Sequence, residues 1–205
     1  GNLVNLESLD IDHNQLTTLP ETIGNLTRLT ELQIRDNQLI GLPTTIGKLT
    51  ALPTLDLSNN RLASLPDEIR NLKAVTTLHL TNNQLTTLPA GIGGMQNLKK
   101  LVANRNRLTA LPVELGKLSK LESLELLDNH LIALPESMGA LTALSSLKVK
   151  NNRLVTLPAG IGKLTKLSAL DLSNNQLASL PEEIRGLKLK TIDLSNNQLT
   201  ALPAG

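Results

Sequence analysis

The sequence predicts an α/β solenoid: one elongated array of nine stacked units, with a parallel sheet along one side. Three observations carry that expectation. An asparagine recurs at 14, 37, 60, 83, 106, 129, 152, 175 and 197, spaced by 23 residues seven times and by 22 once. Ahead of the asparagine, apolar and polar residues alternate, as Leu32 and Ile34 do with Glu31, Gln33 and Arg35. Behind it the apolar spacing lengthens to three and four, and a proline stands at a fixed place. Periods of roughly 20 to 50 residues mark units that cannot bury their apolar face alone and must stack on their neighbours.

Taken in order, each unit reads Leu-x-x-Leu-x-Leu-x-x-Asn-x-Leu-x-x-Leu-Pro-x-x-Ile-Gly-x-Leu-x-x. The alternation before the asparagine has the period of a half-buried strand, and identical neighbours at a fixed offset make the pairing parallel. After the asparagine, Pro20-Glu21, Pro66-Asp67-Glu68 and Pro181-Glu182-Glu183 read as first turns of short helical or 3₁₀ pieces. Proline there is pre-set in φ, and the acidic residues sit at the positive end of the turn. The one short interval places a single deletion near Leu187 to Leu189. Residues 46 to 73 and 161 to 188 match at 22 of 28 positions, five units apart.

These residues resemble the leucine-rich repeat family. The ending Leu-Pro-x-x-Ile-Gly-x-Leu is similar to the 23-residue type found in Ras-group and Scribble-like scaffolds and in bacterial arrays, and it covers the whole chain. The resemblance implies a horseshoe with a concave parallel β-sheet and short helical, 3₁₀ or irregular convex segments. It also implies a buried ladder of Asn14, Asn37, Asn60, Asn83, Asn106, Asn129, Asn152, Asn175 and Asn197, each amide satisfying backbone groups that its turn leaves unpaired. The Gly-x-Ile-Pro ending of plant receptor ectodomains is approached only by Ile40-Gly41-Leu42-Pro43. Residues 1–205 form one domain of about nine repeats. Neither end carries a polar cap, which such arrays need, so the expectation is the interior of a longer protein, or ends that pack on something.

Composition narrows the function. There is no Phe, Tyr or Trp, so the core is aliphatic and the aromatic anchors of tight interfaces are missing. Twenty Lys and Arg against 18 Asp and Glu give a formal +2 with no basic stripe, which argues against nucleic acid. No apolar run approaches the ~20 residues of a membrane span. With no Cys, disulfides, zinc clusters and thiol catalysis are excluded within these residues, and a reducing, cytoplasmic compartment is favoured. No Gly-x-Ser-x-Gly turn or phosphate-cradling glycine loop is present, so neither an enzyme site nor a cofactor is expected. Asp10, Asp12, His13, Arg35 and Asp36 cluster at the first two strands and read as a solvated edge rather than a metal or acid–base site.

The expected function is therefore protein recognition on the strand face, where side chains point outward at six, four, two and one residues before each ladder asparagine. Repeats three, eight and nine are alike there, with Asp56, Asp171 and Asp193 each two residues before a serine. Repeats four to seven depart from that pattern. They place His79, Thr81, Lys100, Val102, Asn104, Arg105, Glu125, Leu127, Asp128, Lys148 and Lys150 outward, with Val102 and Leu127 expected side by side as an apolar centre in a charged rim. Within the core, Ala103 stands where other repeats carry Leu, Ile or Val, predicting local repacking or a change of curvature. Met95 and Met138 read as core gap-fillers. The alternatives are a structural spacer that self-associates end to end through its termini, and the sensor arm of a larger enzyme or bacterial effector.

Overall fold

The computed structural model describes residues 2–203. The leucine alternation produces nine three-residue strands: β1 Ser8–Asp10, β2 Glu31–Gln33, β3 Thr54–Asp56, β4 Thr77–His79, β5 Lys100–Val102, β6 Ser123–Glu125, β7 Ser146–Lys148, β8 Ala169–Asp171 and β9 Thr191–Asp193. They form one parallel sheet in chain order. Residue i faces residue i+23 from β1 to β8, as Leu101 faces Leu124, so each of these layers repeats the one before. From β2 to β8 the central leucine of each strand is buried against an all-aliphatic core that also takes in Met95 and Met138.

Opposite the sheet, each of eight five-residue 3₁₀ segments begins just after its proline, from Glu21–Asn25 to Glu182–Gly186. The proline is not the first helical residue, as its sequence position suggests. It is the extended residue ahead of the turn, with φ −70° and ψ 150° at Pro66, and its carbonyl accepts from the N–H of Ile69 at 3.2 Å. The 3₁₀ segments stack so closely that a Cβ on Gly116 would sit 2.3 Å from the Ser137 carbonyl oxygen. The missing residue of the last repeat is absorbed just after the final 3₁₀ segment. Leu187 there is extended at ψ 143°, where its counterpart Leu164 has ψ 64°. The register of β8 with β9 is thereby restored, Leu170 facing Ile192.

The strand is turned into the convex side by a left-handed residue. His13, Asp36, Asn59, Asn82, Arg105, Asp128, Asn151, Asn174 and Asn196 all have φ between 53° and 57°. Asn, Asp and His tolerate that region, and Arg105 is the exception. The next residue is the ladder asparagine. Asn60 Nδ2 donates to the Leu57 and Ser58 carbonyls of its own turn and to Ile34 of the preceding repeat at 3.0 Å, while Oδ1 accepts from the Leu39 N–H at 3.0 Å. The amide therefore joins two repeats as well as closing one turn. The rungs from Asn37 to Asn175 are buried. Asn14 is exposed and Asn197 only half-buried, because each lies at an edge of the stack.

Ala103 is fully buried and the register on either side of it is unbroken. The sheet shows no slip at this position.

Candidate interaction face

The sameness of repeats three, eight and nine has a backbone cause. Asp56 Oδ1 accepts the N–H of Ser58 at 2.9 Å, and Asp171 and Asp193 accept both the N–H and the hydroxyl of Ser173 and Ser195. Asp10 caps Asp12 in the same way. One oxygen of the outward Asp is thus engaged in holding the strand end. The Ser195 hydroxyl, and after it the Ser195 N–H, draw the Asp193 carboxyl below the usual carboxylate range.

In β4 to β7 that aspartate is replaced by His79, Val102, Glu125 and Lys148, which lie side by side across the sheet. The Lys148 ammonium lies 3.5 Å from Glu125. A different device holds the strand end here: Asn104 Oδ1 accepts the N–H of Leu127 at 2.8 Å, one repeat on. Its Nδ2 donates to Glu125 at 3.4 Å. Lys100 and Lys150 make no side-chain hydrogen bond or ion pair among the described residues.

The expected pairing of Val102 with Leu127 is not what the register provides. Val102 faces His79 and Glu125, two residues out of step with Leu127. It is also only 6% exposed, covered by its longer neighbours on the concave face. Leu127 remains half-buried, and Thr81, Lys100 and Asn104 likewise, while Arg105 is exposed and lies 3.7 Å from Asp128. The apolar centre therefore reduces to Leu127.

The left-handed column forms two side-chain chains of the same design. Asn82 donates to Asn59, Asn59 to Asp36, and His13 approaches Asp36 at 3.6 Å. Four repeats on, Asn174 donates to Asn151, Asn151 to Asp128, and Arg105 faces Asp128. Each aspartate only accepts, which fixes the direction of the amides that follow it.

Leucine-rich repeat models match this chain over most of its length: a leucine-rich repeat region over residues 54–130, and a leucine rich repeat over 1–39 and 142–199. The chain belongs to the leucine-rich repeat family. A leucine-rich repeat protein of Leptospira interrogans is 38% identical with a TM-score of 0.92, over 98% of this chain and 52% of that one. YopM, a leucine-rich effector protein from Yersinia pestis, is 30% identical with a TM-score of 0.74, over 98% and 52%. The Arabidopsis receptor kinase HAESA, solved with the peptide hormone IDA and the co-receptor SERK1, is 37% identical with a TM-score of 0.79, over 95% and 34%. The chain spans about half the length of the two bacterial proteins and a third of the receptor. No curated protein matches it in sequence.

On this leucine-rich repeat sheet the acidic edge is internally engaged. Asp12 accepts the Arg35 backbone N–H at 2.6 Å and its guanidinium at 2.9 Å, and no three metal-ligating side chains converge among the described residues. No helix among them is long and apolar enough to cross a membrane. The periodic reading passes over Pro53. It is the one proline outside the Leu-Pro positions, and it stands where other repeats use a backbone N–H to pair their strands.

Proposed function

We propose that this array is a non-enzymatic recognition module that takes another protein on its concave sheet, over β4 to β7. The observation that carries the reading is the exchange of the Asp-x-Ser cap for side chains of mixed charge and polarity, only some of which the fold engages. Lys100 and Lys150 carry no side-chain hydrogen bond or ion pair among the described residues, and Leu127 presents an apolar surface between Asn104 and Lys150. The contact set is His79, Thr81, Lys100, Asn104, Arg105, Glu125, Leu127, Asp128, Lys148 and Lys150, with Val102 as the floor beneath them. Four repeats offer about sixteen outward residues, below the ~20–30 per partner of a standard interface. From β5 to β7 four cations face two carboxylates, a formal +2 that favours an acidic partner surface. The receptor HAESA, solved with a peptide hormone and a co-receptor, supports recognition as a use of such a repeat array.

The test is affinity for an identified partner, compared between the wild-type chain and Leu127→Asp with Lys150→Glu. Both side chains are half-buried on the outer face of the sheet rather than in the core, so thermal unfolding should change far less than binding, which is lost. Val102→Asp is unsuitable, because it would bury a charge. Retained affinity in the double variant would sink the middle-repeat site.

A second reading, end-to-end stacking, is favoured by the exposed apolar residues at the two edges of the array. Leu3 is 67% exposed, Ile192 43% and Leu202 67%. Another copy or flanking repeats would cover them. Light scattering against concentration separates the readings: growth in size without an added partner supports stacking.

A further inference from the structure

Seven of the eight strand pairs in the sheet are held over three residue pairs, and one is not. β2 and β3 are joined only through Gln33 and Asp56. The cause is Pro53. In the other repeats the residue at this position donates its N–H to the equivalent carbonyl one repeat earlier, as Ser168 does to Ser145 at 2.9 Å and Thr76 to Pro53 at 2.8 Å. The residue after it donates to the same carbonyl, as Ala169 does to Ser145 at 3.1 Å. Proline has no N–H. The Thr30 carbonyl receives neither bond, and it borders an open concavity of about 510 Å³ lined by Thr30, Glu31, Gln33, Arg35, Pro53 and Asp56 among others. The chain supplies its own control. Residues 161 to 188 repeat residues 46 to 73 almost verbatim, but carry Ser168 in place of Pro53, and there β7 and β8 pair over three residues.

The chemistry of the opening is one-sided. The Thr30 carbonyl accepts no backbone bond. Glu31 takes the Ser8 hydroxyl on one oxygen and the Gln33 side-chain amide on the other, and the Gln33 Oε1 accepts no hydrogen bond among the described residues. Asp56 uses Oδ1 on Ser58, leaving Oδ2. The single cation of the lining, Arg35, is turned onto Asp12. The outward positions of the first three repeats carry five carboxylates, Asp10, Asp12, Glu31, Asp36 and Asp56, against that one guanidinium, a formal −4. A site made of acceptors at several angles suits a planar group with several donors more than a point charge.

We propose that the opening between β2 and β3 is a receptor for a guanidinium group, the side chain of an arginine in a partner's extended segment, with Thr30, Gln33, Glu31 and Asp56 as its acceptors. The site is separate from the middle-repeat face and does not depend on it.

The experiment is an amide NMR titration of the intact chain with N-acetyl-arginine-amide, using the citrulline analogue as the uncharged isostere and the lysine analogue as the point-charge probe. The expected result is saturable shifts confined to residues around 30–35 and 53–57. The arginine probe should bind about tenfold or more tighter than citrulline, because the charge-assisted hydrogen bonds are lost with the charge, and tighter than lysine. Pro53→Ser copies the sequence of repeat eight and restores the donor, so it should fold at least as well as wild type. It should abolish the saturable shifts, and Asp56→Asn should weaken them. Equal binding by Pro53→Ser, equal binding of citrulline, or shifts spread over all acidic residues would each overturn the proposal. Loss of protein binding in the middle-repeat variant would leave this titration unchanged, so the two sites fail separately.

Discussion

Asn104 holds Leu127 in place from one repeat away. Its Oδ1 accepts the Leu127 backbone N–H at 2.8 Å, and the same N–H in repeats three, eight and nine is capped by an aspartate of its own strand. Asp12 plays the Asn104 role for Arg35 at the other end of the sheet, at 2.6 Å. Asn104→Ala should therefore leave a half-buried N–H without its acceptor and lower unfolding stability by about 1–2 kcal/mol. Asn104→Asp keeps the acceptor but sets a carboxylate against Glu125, so in a Glu125→Gln background, where that repulsion is absent, it should recover most of the loss. Chemical denaturation of the two variants in that background decides the matter, and equal stability of both would remove the cap from the account.

Arg105 occupies the left-handed position that Asn, Asp or His fills in the other eight repeats. A residue with no short polar side chain to bond locally is disfavoured there by roughly 1–2 kcal/mol, and strain of that kind is kept where a side chain is used. Arg105→Asn should raise unfolding stability by about 0.5–1 kcal/mol once the lost Asp128 contact is counted, and weaken partner capture. A variant both more stable and fully competent in binding would mean that Arg105 has no part in recognition.

The ladder rungs should differ by position. Asn129 donates to the Ala103, Leu126 and Leu127 carbonyls and accepts from the Leu108 N–H, all within the stack. Asn129→Ala strands several buried polar groups at once and should cost about 2–4 kcal/mol. Asn14→Ala, at the exposed first turn, should cost well under 1 kcal/mol. Because each repeat touches only its neighbours, hydrogen exchange in Asn129→Ala should accelerate first around repeats five to seven.

Most of the fold is legible in the period alone. Strands, turn, 3₁₀ segment and the repaired deletion at Leu187 all follow from one pattern repeated, because identical layers stack in only one register. The site is less legible. Val102 reads as outward, and so it is, yet its 6% exposure depends on side chains one repeat to either side, which a single repeat does not contain. Its mismatch with Leu127 is countable from the asparagines, since the two stand four and two residues before theirs. Pro53 is visible as the one proline of ten outside the Leu-Pro positions, but its consequence for the sheet needs the neighbouring strand. The Asp-x-Ser cap looks like an unremarkable surface until the hydrogen bonds are drawn.

That cap also predicts a pH response. Asp193 is held below the usual carboxylate range chiefly by the Ser195 hydroxyl at 2.7 Å, then by the Ser195 N–H at 2.9 Å. A carboxyl with a depressed folded-state pKa stabilises the fold above its unfolded value, and that contribution disappears as pH falls through the folded value. Ser195→Ala removes the larger of the two bonds and keeps the backbone one. The Asp193 pKa should then rise toward the ordinary carboxylate range, as read from its carboxyl carbon shift, and the acid end of β9 amide protection should move to higher pH. An Asp193 titration unchanged in Ser195→Ala would assign the depression to the backbone and leave the hydroxyl without a role.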